Sequence, residues 1–150
     1  MKNAGTRYAT AIPNRVANDS ALPPYSFTSI QERDRRRMDT CEPKIVDKPW
    51  GREIWYAHTD RYAGKVLEVD EGHVLSLQKH EIKHETLYLQ SGRMRFTLGE
   101  GEFEWLPGQC VEIPPDTIHR MEALEDSVIL ETSTPELDDV VRLEDRYGRA

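Results

Sequence analysis

Beyond Lys44 the chain consists of short runs of β-forming residues separated by turn residues at close spacing. The runs are rich in Val, Leu, Thr and aromatic residues, and glycine or proline follows most of them. The strands predicted in this way cover residues 65–69, 74–78, 85–89, 94–98, 102–105, 111–113 and 127–132. No stretch of this region shows a long helical period, although residues 136–146 could form a short helix or an extended tail. Many short strands at such spacing predict an all-β sandwich or barrel.

Side chains that bind divalent metals occur at intervals along these strands. Because side chains alternate along a strand, Ser76, Gln78 and His80 are expected on one face. Glu85 begins the next predicted strand, and His119 follows a Pro-Pro-Asp turn about three hairpins later. Hairpin-linked strands can bring these distant positions together. Two imidazoles, a carboxylate and an amide oxygen suit one divalent ion, with zinc as the first expectation and iron, manganese or nickel as alternatives.

Two segments of the chain resemble the motifs of the cupin family. The matching positions are Gly72, His80, Glu85 and Gly92 in the first motif, and Gly108, Pro114, Asp116 and His119 in the second. The resemblance implies an all-β fold made of a single cupin jelly-roll β-barrel over residues 44–150. Residues 1–43 would form a partly irregular N-terminal arm in front of it.

Within the cupins, the chain resembles the C-terminal domain of type II mannose-6-phosphate isomerases, which are often fused to a GDP-mannose pyrophosphorylase. The similar stretches are residues 48–52, 75–80, 113–115, 119–120 and 141–149, so the likeness extends over residues 45–149. It implies a metal-dependent aldose–ketose isomerase that acts on a phosphorylated sugar. In such a reaction the metal bound by Gln78, His80, Glu85 and His119 would polarise the carbonyl oxygen of the substrate.

The same resemblance implies roles for four basic residues. Lys83 occupies the place of a basic residue two positions before the metal-binding glutamate, and Lys65 matches a lysine on the preceding strand. Both are candidate catalytic residues, and either could equally be a solvated lysine. Arg142 and Arg149 are candidate substrate-binding residues for the phosphate. The general base is open among Lys65, Lys83 and Glu112.

The chain departs from the family pattern in three respects. The second histidine of the first motif is replaced by Ile82, and the amide of Gln78 could supply the missing ligand. The glycine of the second motif is replaced by Asp116, which can adopt the same strained turn geometry. Nothing in the 150 residues resembles the nucleotidyltransferase half of the bifunctional enzymes. The chain by itself is therefore not expected to synthesise a nucleotide sugar.

Residues 80–84 also spell H-E-x-x-H, the signature of zinc peptidases. That motif functions on a helix, where histidines four positions apart share a face and the glutamate acts as a base. The flanking residues alternate as in strands, and Thr86 and Tyr88 are weak helix formers. We therefore predict that neither Glu81 nor His84 binds the metal.

Two other classes of function are compatible with the sequence. The chain could be a non-catalytic cupin that binds a metal or a sugar and serves carbohydrate or polysaccharide biosynthesis, since one fold hosts many functions. It could also be a metal-dependent oxygenase, although such sites more often combine several histidines with one carboxylate, and Gln78 is at variance with that pattern.

The net charge of −7 argues against nucleic acid or an anionic membrane as the main partner. The expected small-molecule partner is a phosphorylated sugar, and a homodimer is expected because an exposed edge strand needs covering. The first thirty residues lack the apolar core of a secretion signal, and no run approaches the length of a membrane span. These features predict a cytoplasmic protein.

Overall fold

The computed structural model of the protein describes residues 41–150, which form eleven β-strands and contain no helix. The strands are β1 (Lys44–Lys48), β2 (Gly51–His58), β3 (Ala63–Val69), β4 (Leu77–Lys79), β5 (Glu85–Ser91), β6 (Met94–Leu98), β7 (Gly101–Trp105), β8 (Cys110–Ile113), β9 (His119–Ala123), β10 (Ser127–Ser133) and β11 (Val141–Glu144). The predicted arm over residues 1–43 lies almost entirely outside the described residues. Within residues 41–150 there is no helix long and apolar enough to span a membrane.

The strands form two antiparallel sheets. The six-stranded sheet has the order β1-β2-β3-β10-β5-β8, and the five-stranded sheet has the order β11-β4-β9-β6-β7. Strands that are distant in sequence are therefore neighbours in each sheet. For example, β10 pairs with both β3 and β5. Two sheets with these crossing connections make a jelly roll, so the prediction of an all-β jelly-roll fold is confirmed.

The hydrophobic core lies between the inner faces of the two sheets. Alternation places every second residue inside, as in β5, where Leu87 and Leu89 are buried while Thr86 and Tyr88 are exposed. Each fully buried large apolar side chain contributes about 1.5–3 kcal/mol to folding. The core comprises Trp50, Leu67, Val69, Leu75, Leu87, Leu89, Met94, Phe96, Trp105, Val111, Ile113, Met121, Ala123 and Ile129.

The predicted strands are mostly observed, with two kinds of difference. Of the predicted strand 74–78, only Leu77 and Gln78 belong to a regular strand. Val74 instead makes an isolated bridge to Glu122 of β9. Four strands that the sequence did not indicate are also present, namely β1, β2, β9 and β11. β11 settles the two alternatives for residues 136–146, since this segment is extended at residues 141–144 and contains no helix.

Two turns depend on residues that tolerate positive φ. Asp116 has a φ of 60°, and its backbone N–H donates to the carbonyl oxygen of His80. The prediction that this aspartate takes the place of the motif glycine is therefore confirmed, since aspartate is one of the residues that enter the left-handed region. At Gly92 a Cβ atom would lie 2.4 Å from the carbonyl oxygen of Asp126, so this turn excludes any side chain.

Candidate metal centre

His80, Glu85 and His119 form a buried cluster between the two sheets. His80 follows β4, Glu85 begins β5 and His119 begins β9. The Nε2 atoms of His80 and His119 lie 3.3 Å and 3.4 Å from the same carboxylate oxygen, Oε1 of Glu85. The potential ligand atoms of the three residues all lie within 4.8 Å of one another. The structure therefore brings together three of the four predicted metal ligands in a geometry that one ion can bridge.

Both histidines are oriented by the ring nitrogen that faces away from the cluster. Nδ1 of His80 donates to the carbonyl oxygen of Asp139, and Nδ1 of His119 donates to that of Thr117 at 3.0 Å. A carbonyl oxygen only accepts, so Nδ1 carries the hydrogen and each neutral ring presents a lone pair at Nε2. Nε2 of His80 is buried without a hydrogen-bond partner among the described residues. A buried lone pair of this kind fits a divalent metal, whereas it is costly to leave unpaired.

The protonation states of the cluster also fit a metal. Burial lowers the pKa of His119, although the charge of Glu85 opposes this effect, so the ring is held in the neutral form that binds metals. Burial raises the pKa of Glu85, but His80 and the positive charge of Lys83 outweigh it and the net pKa is well below the ordinary value. The cluster thus presents a neutral imidazole at His119 and an ionised carboxylate at Glu85.

Gln78, the fourth predicted ligand, lies beside this cluster. It is the direct cross-strand neighbour of His119, and its Nε2 lies 3.3 Å from Nε2 of that ring. Its Oε1 accepts a hydrogen bond of 2.7 Å from the hydroxyl of Ser76, as expected if both share a face. The amide therefore turns its nitrogen towards the cluster, and a half-turn of the amide would exchange the nitrogen for the oxygen. Its role as a ligand stays a prediction.

A pocket of about 380 Å³ opens beside the cluster, within the size range of small-ligand sites. Its charged lining residues are more basic than acidic, in contrast to the net charge of the whole chain. The basic lining residues are Lys44, Lys48, Lys65, Lys83, Arg142 and Arg149, and the acidic ones are Glu53, Glu85, Glu131 and Asp138. This charge distribution favours an anionic ligand over a cationic one.

The two candidate catalytic lysines are buried on the pocket wall. Lys83 is 3 % exposed and Lys65 is 5 % exposed, so the alternative of solvated lysines is wrong. Nζ of Lys83 lies 2.7 Å from Glu85 and 3.1 Å from Glu131, and Nζ of Lys65 lies 3.4 Å from the same oxygen of Glu131. Burial lowers the pKa of Lys83, but Glu131 and Glu85 outweigh it, and the pKa is raised. Glu131 therefore links both lysines to the candidate metal centre.

Glu131 is a site residue that the sequence analysis did not identify. It lies in β10 between Ile129 and Ser133, both of which face the core. Alternation along this predicted strand puts residue 131 on the same inward face, and a carboxylate that faces a core is rare unless it is paired. This signal was present in the sequence, although it does not name the partner of the carboxylate.

The two candidate phosphate-binding arginines differ in how they are held. Arg142 is the cross-strand neighbour of Gln78, and its Nε is buried without a hydrogen-bond partner among the described residues. Arg149 is bound by Asp145 through several hydrogen bonds, one of them 2.5 Å long. The hydrogen bonds from Arg149 lower the pKa of Asp145 to about 2. Both arginines line the pocket, but Arg142 is the one with an unpaired donor directed into buried space.

The structure does not bring Glu112 or the second histidine of the H-E-x-x-H sequence to the pocket. Glu112 and His84 are both exposed, and their side chains contact each other at 2.9 Å on the outer face of the six-stranded sheet. Glu81 is exposed as well, and residues 80–84 form no helix. The interpretation of this sequence as a peptidase motif is therefore excluded, as is Glu112 as a base in this pocket.

Asp139 positions the loop between β4 and β5, a role that the sequence analysis did not identify. Its carboxylate accepts hydrogen bonds from the backbone N–H groups of Glu81, Ile82 and Lys83, at 3.1, 2.6 and 2.8 Å. The N–H of Lys83 is the main reason that the pKa of Asp139 is lowered. The carbonyl oxygen of the same residue accepts from His80. Asp139 thus fixes both the ring of a candidate ligand and the backbone of the pocket lysine.

We expect the Asp139→Ala variant to bind a divalent ion about 10–100-fold more weakly than the unchanged protein, the usual cost of removing a group that orients a metal ligand. The reason is that three N–H groups of the loop that follows His80 lose their common acceptor, so the loop no longer fixes the position of this ligand, although the backbone carbonyl that accepts from its ring remains. Calorimetric titration of metal-free protein with zinc measures the effect. Asp138→Ala, a change at the neighbouring pocket residue, is the control. Equal affinities for both variants would contradict the role assigned to Asp139.

Comparison with known proteins agrees with this fold. A profile of the family described as "Mannose-6-phosphate isomerase C-terminal" matches residues 34–145. The mannose-1-phosphate guanylyltransferase ManC of Salmonella typhimurium is 35 % identical over 118 residues, covering 69 % of this chain and 23 % of that protein. The alginate biosynthesis protein AlgA of Pseudomonas fluorescens is 31 % identical over 122 residues, covering 78 % and 25 %. The chain thus spans about a quarter of the length of these curated relatives.

Solved structures show the same jelly roll. KdgF from Halomonas sp. superimposes with a TM-score of 0.60 at 26 % identity, covering 64 % of this chain and 91 % of that protein. An RmlC-like cupin from Shewanella frigidimarina gives a TM-score of 0.60 at 15 % identity, covering 65 % and 87 %. At that identity the second likeness concerns the fold alone. The cupin fold that the two motifs predicted is therefore confirmed.

Proposed function

Because the chain belongs to the mannose-6-phosphate isomerase C-terminal family, we propose that it is a metal-dependent aldose–ketose isomerase of a phosphorylated hexose such as mannose 6-phosphate. The observation that carries the proposal is the buried cluster of His80, Glu85 and His119 beside a pocket with six basic residues in its lining. The cluster would hold a metal that offers a binding site for the sugar oxygens, and the basic groups would bind the phosphate of the sugar. Neither feature alone would suggest this substrate class.

The reaction moves one proton between neighbouring carbons and one between their oxygens, through an enediol, so it needs no other reactant. His80, Glu85 and His119 would hold the metal, with Gln78 as the proposed fourth ligand. When bound, the metal polarises the carbonyl oxygen and stabilises the negative charge that develops on it.

Lys83 and Lys65 are the proposed groups that exchange protons with the substrate. Oε1 of Glu131 lies 3.1 Å from Nζ of Lys83 and 3.4 Å from Nζ of Lys65, so this carboxylate holds the two ammonium groups side by side. The raised pKa of Lys83 suits it to donate a proton to an oxygen of the substrate.

Arg142 is the proposed anchor of the phosphate. It lies directly opposite Gln78 on the neighbouring strand, and Gln78 in turn lies opposite His119. This register puts the guanidinium of Arg142 on the pocket wall, near the candidate metal centre. Arg149 lines the same pocket and would assist, but Asp145 already occupies much of its hydrogen-bonding capacity.

We expect Arg142→Met to lower kcat/KM for the sugar phosphate about 10–100-fold, mainly through KM. A hydrogen bond to a charged group contributes about 1.5–3 kcal/mol, and methionine keeps most of the apolar stem. Steady-state kinetics measure the change. Arg95→Met is the matched control, since Arg95 lies on the outer face of the five-stranded sheet in ion pairs with Glu102 and Glu122. A fall of the same size in the control would contradict the assignment.

The experiment that tests the function uses metal-stripped protein supplied with zinc, iron, manganese or nickel in turn. Interconversion of mannose 6-phosphate and fructose 6-phosphate that is restored by one ion supports the isomerase. Metal binding without turnover of either sugar would overturn it and favour a non-catalytic cupin of polysaccharide biosynthesis, the process named for AlgA and for the xanthan biosynthesis protein XanB. Oxygen uptake with bound iron would favour an oxygenase.

A further inference from the structure

Four carboxylates of the described residues line the pocket, and three of them already have partners. Glu85 contacts the two histidines of the candidate metal centre, and Glu131 contacts both pocket lysines. Glu53 accepts a hydrogen bond of 2.7 Å from Nε1 of Trp55 and lies 3.5 Å from Nζ of Lys48. The lone pairs of these three carboxylates are therefore engaged within the protein.

Asp138 is the fourth carboxylate of the lining, and it differs from the others. The residue is exposed, and its side chain forms no hydrogen bond or ion pair with any residue between positions 41 and 150. Its carbonyl oxygen accepts from the backbone N–H of Val140 at 3.0 Å, so the backbone at this position is held while the side chain is not. Both carboxylate oxygens of Asp138 are thus available to a ligand in the pocket.

The loop that carries Asp138 also holds the candidate metal centre. The next residue, Asp139, accepts the Nδ1 hydrogen of His80 with its carbonyl oxygen and the backbone N–H of Lys83 with its carboxylate. Consecutive Cα atoms lie about 3.8 Å apart, so Asp138 is one such step away from the residue that orients a candidate ligand. The free carboxylate of Asp138 therefore belongs to the same end of the pocket as His80 and Lys83.

An aldose–ketose isomerase needs a group that removes a proton from carbon, and Lys83 does not suit this task. Its Nζ lies 2.7 Å from Glu85 and 3.1 Å from Glu131, as expected of an ammonium group between two carboxylates. Such a group has three hydrogen-bond donors and no acceptor, so it serves the oxygens of the substrate. An ionised carboxylate is an acceptor only, and a carboxylate without a partner suits the removal of the proton from carbon.

We propose that Asp138 is the general base of the isomerisation, an inference that rests on the proposed function. It takes the proton from C2 of mannose 6-phosphate. The electron pair of that C–H bond forms the C1=C2 double bond, and the carbonyl pair moves to O1, which receives a proton from Lys83. Asp138 then returns its proton to C1, while the hydroxyl on C2 gives its proton to Lys83 and becomes the carbonyl of fructose 6-phosphate. Both groups end in their starting forms, so no further reactant is needed.

The exposure of Asp138 predicts that the transferred hydrogen exchanges with solvent. A protonated carboxyl group that reaches water trades its hydrogen with the surrounding water before it returns one to carbon. Fructose 6-phosphate formed in heavy water should therefore carry deuterium on C1 in most molecules, which proton NMR measures. A product without deuterium would overturn the proposal, because the hydrogen would then have stayed out of reach of water.

Asp138→Asn tests the role directly in the full chain supplied with the ion that activates it. Asparagine keeps the shape of the side chain but does not take up a proton, so kcat for mannose 6-phosphate should fall at least about 100-fold. The affinity for zinc should not change, since the side chain of Asp138 contacts no candidate ligand. Asp60→Asn is the matched control, because Asp60 is exposed and lies outside the pocket, and it should keep full activity.

Rescue by a small carboxylate separates a catalytic role from a structural one. Formate should raise the kcat of Asp138→Ala at least about 10-fold, because the shortened side chain leaves room for it, and should not affect Asp138→Asn. A loss of kcat with weaker zinc binding and no rescue would show a structural role and overturn the inference.

The outcomes for the base and for the proposed function are distinguishable. If the unchanged protein isomerises the sugar and Asp138→Asn has the same kcat, the inference is wrong and the proposed function stands. If the unchanged protein turns over neither sugar with any of the ions, the proposed function fails and the assignment of the base fails with it.

Discussion

Replacing His119 with alanine is expected to abolish metal retention and sugar-phosphate turnover together. The change removes one of two imidazoles whose Nε2 atoms converge on Glu85. Loss of a group that merely orients a ligand costs about 10–100-fold in metal affinity, so loss of a ligand itself should exceed 100-fold. Metal content after gel filtration, together with kcat for mannose 6-phosphate, measures both effects.

His84→Ala is the matched control for this experiment. His84 belongs to the same H-E-x-x-H sequence as His80, but its side chain lies outside and contacts Glu112. It should keep both metal and activity. A His119→Ala variant that turned over at the normal rate without metal would refute the proposed mechanism.

Replacing Lys83 with methionine is expected to lower the free energy of unfolding of the metal-free protein by about 3 kcal/mol. Removing one partner of a buried ion pair leaves the other charge uncompensated, at a cost of about 3–5 kcal/mol. The lower end applies because Glu131 keeps a second cationic partner, Lys65, at 3.4 Å. Urea unfolding of the chelator-treated protein measures the change.

Lys79→Met controls for the loss of a lysine from the same part of the chain. Lys79 pairs with Asp116 at 2.7 Å, but both side chains reach solvent, so its removal should leave the unfolding midpoint almost unchanged. Adding Glu131→Gln to Lys83→Met should recover part of the lost stability, because it removes one of the uncompensated charges. Full stability of the Lys83→Met variant would show that the buried charge network is not coupled to folding.

The sequence was sufficient for the jelly roll and for three members of the candidate metal centre. His80, Glu85 and His119 were recognised because turn residues and alternation fix their positions within the cupin motifs. The lysines were named from the resemblance, but their burial could not be predicted. Lys83 lies in the loop between β4 and β5, where alternation does not apply, and Lys65 lies on β3, where an inward-facing lysine is stable only beside a carboxylate. That outcome depends on a carboxylate at the matching position of a neighbouring strand.

Glu131 and Asp139 show why the rest of the site escaped prediction. The contact between Lys83 and Glu131 joins residues 48 positions apart, and that between Ile82 and Asp139 joins residues 57 positions apart. Such contacts depend on the pairing of β10 with β5 and on the path of the chain before β11. Alternation tells which face a residue occupies, but it does not tell which strands become neighbours.

The central place of β10 has a consequence for how the protein folds. This strand is inserted between β3 and β5, yet it is synthesised after nine other strands. The six-stranded sheet cannot be completed while the earlier strands leave the ribosome. Until β10 is available, β3 and β5 each have one edge whose backbone N–H and C=O groups are unpaired. A chain dominated by such distant pairings is expected to fold in milliseconds to seconds, not microseconds. Until β10 arrives, the nascent chain presents edges that chaperones or other strands can capture.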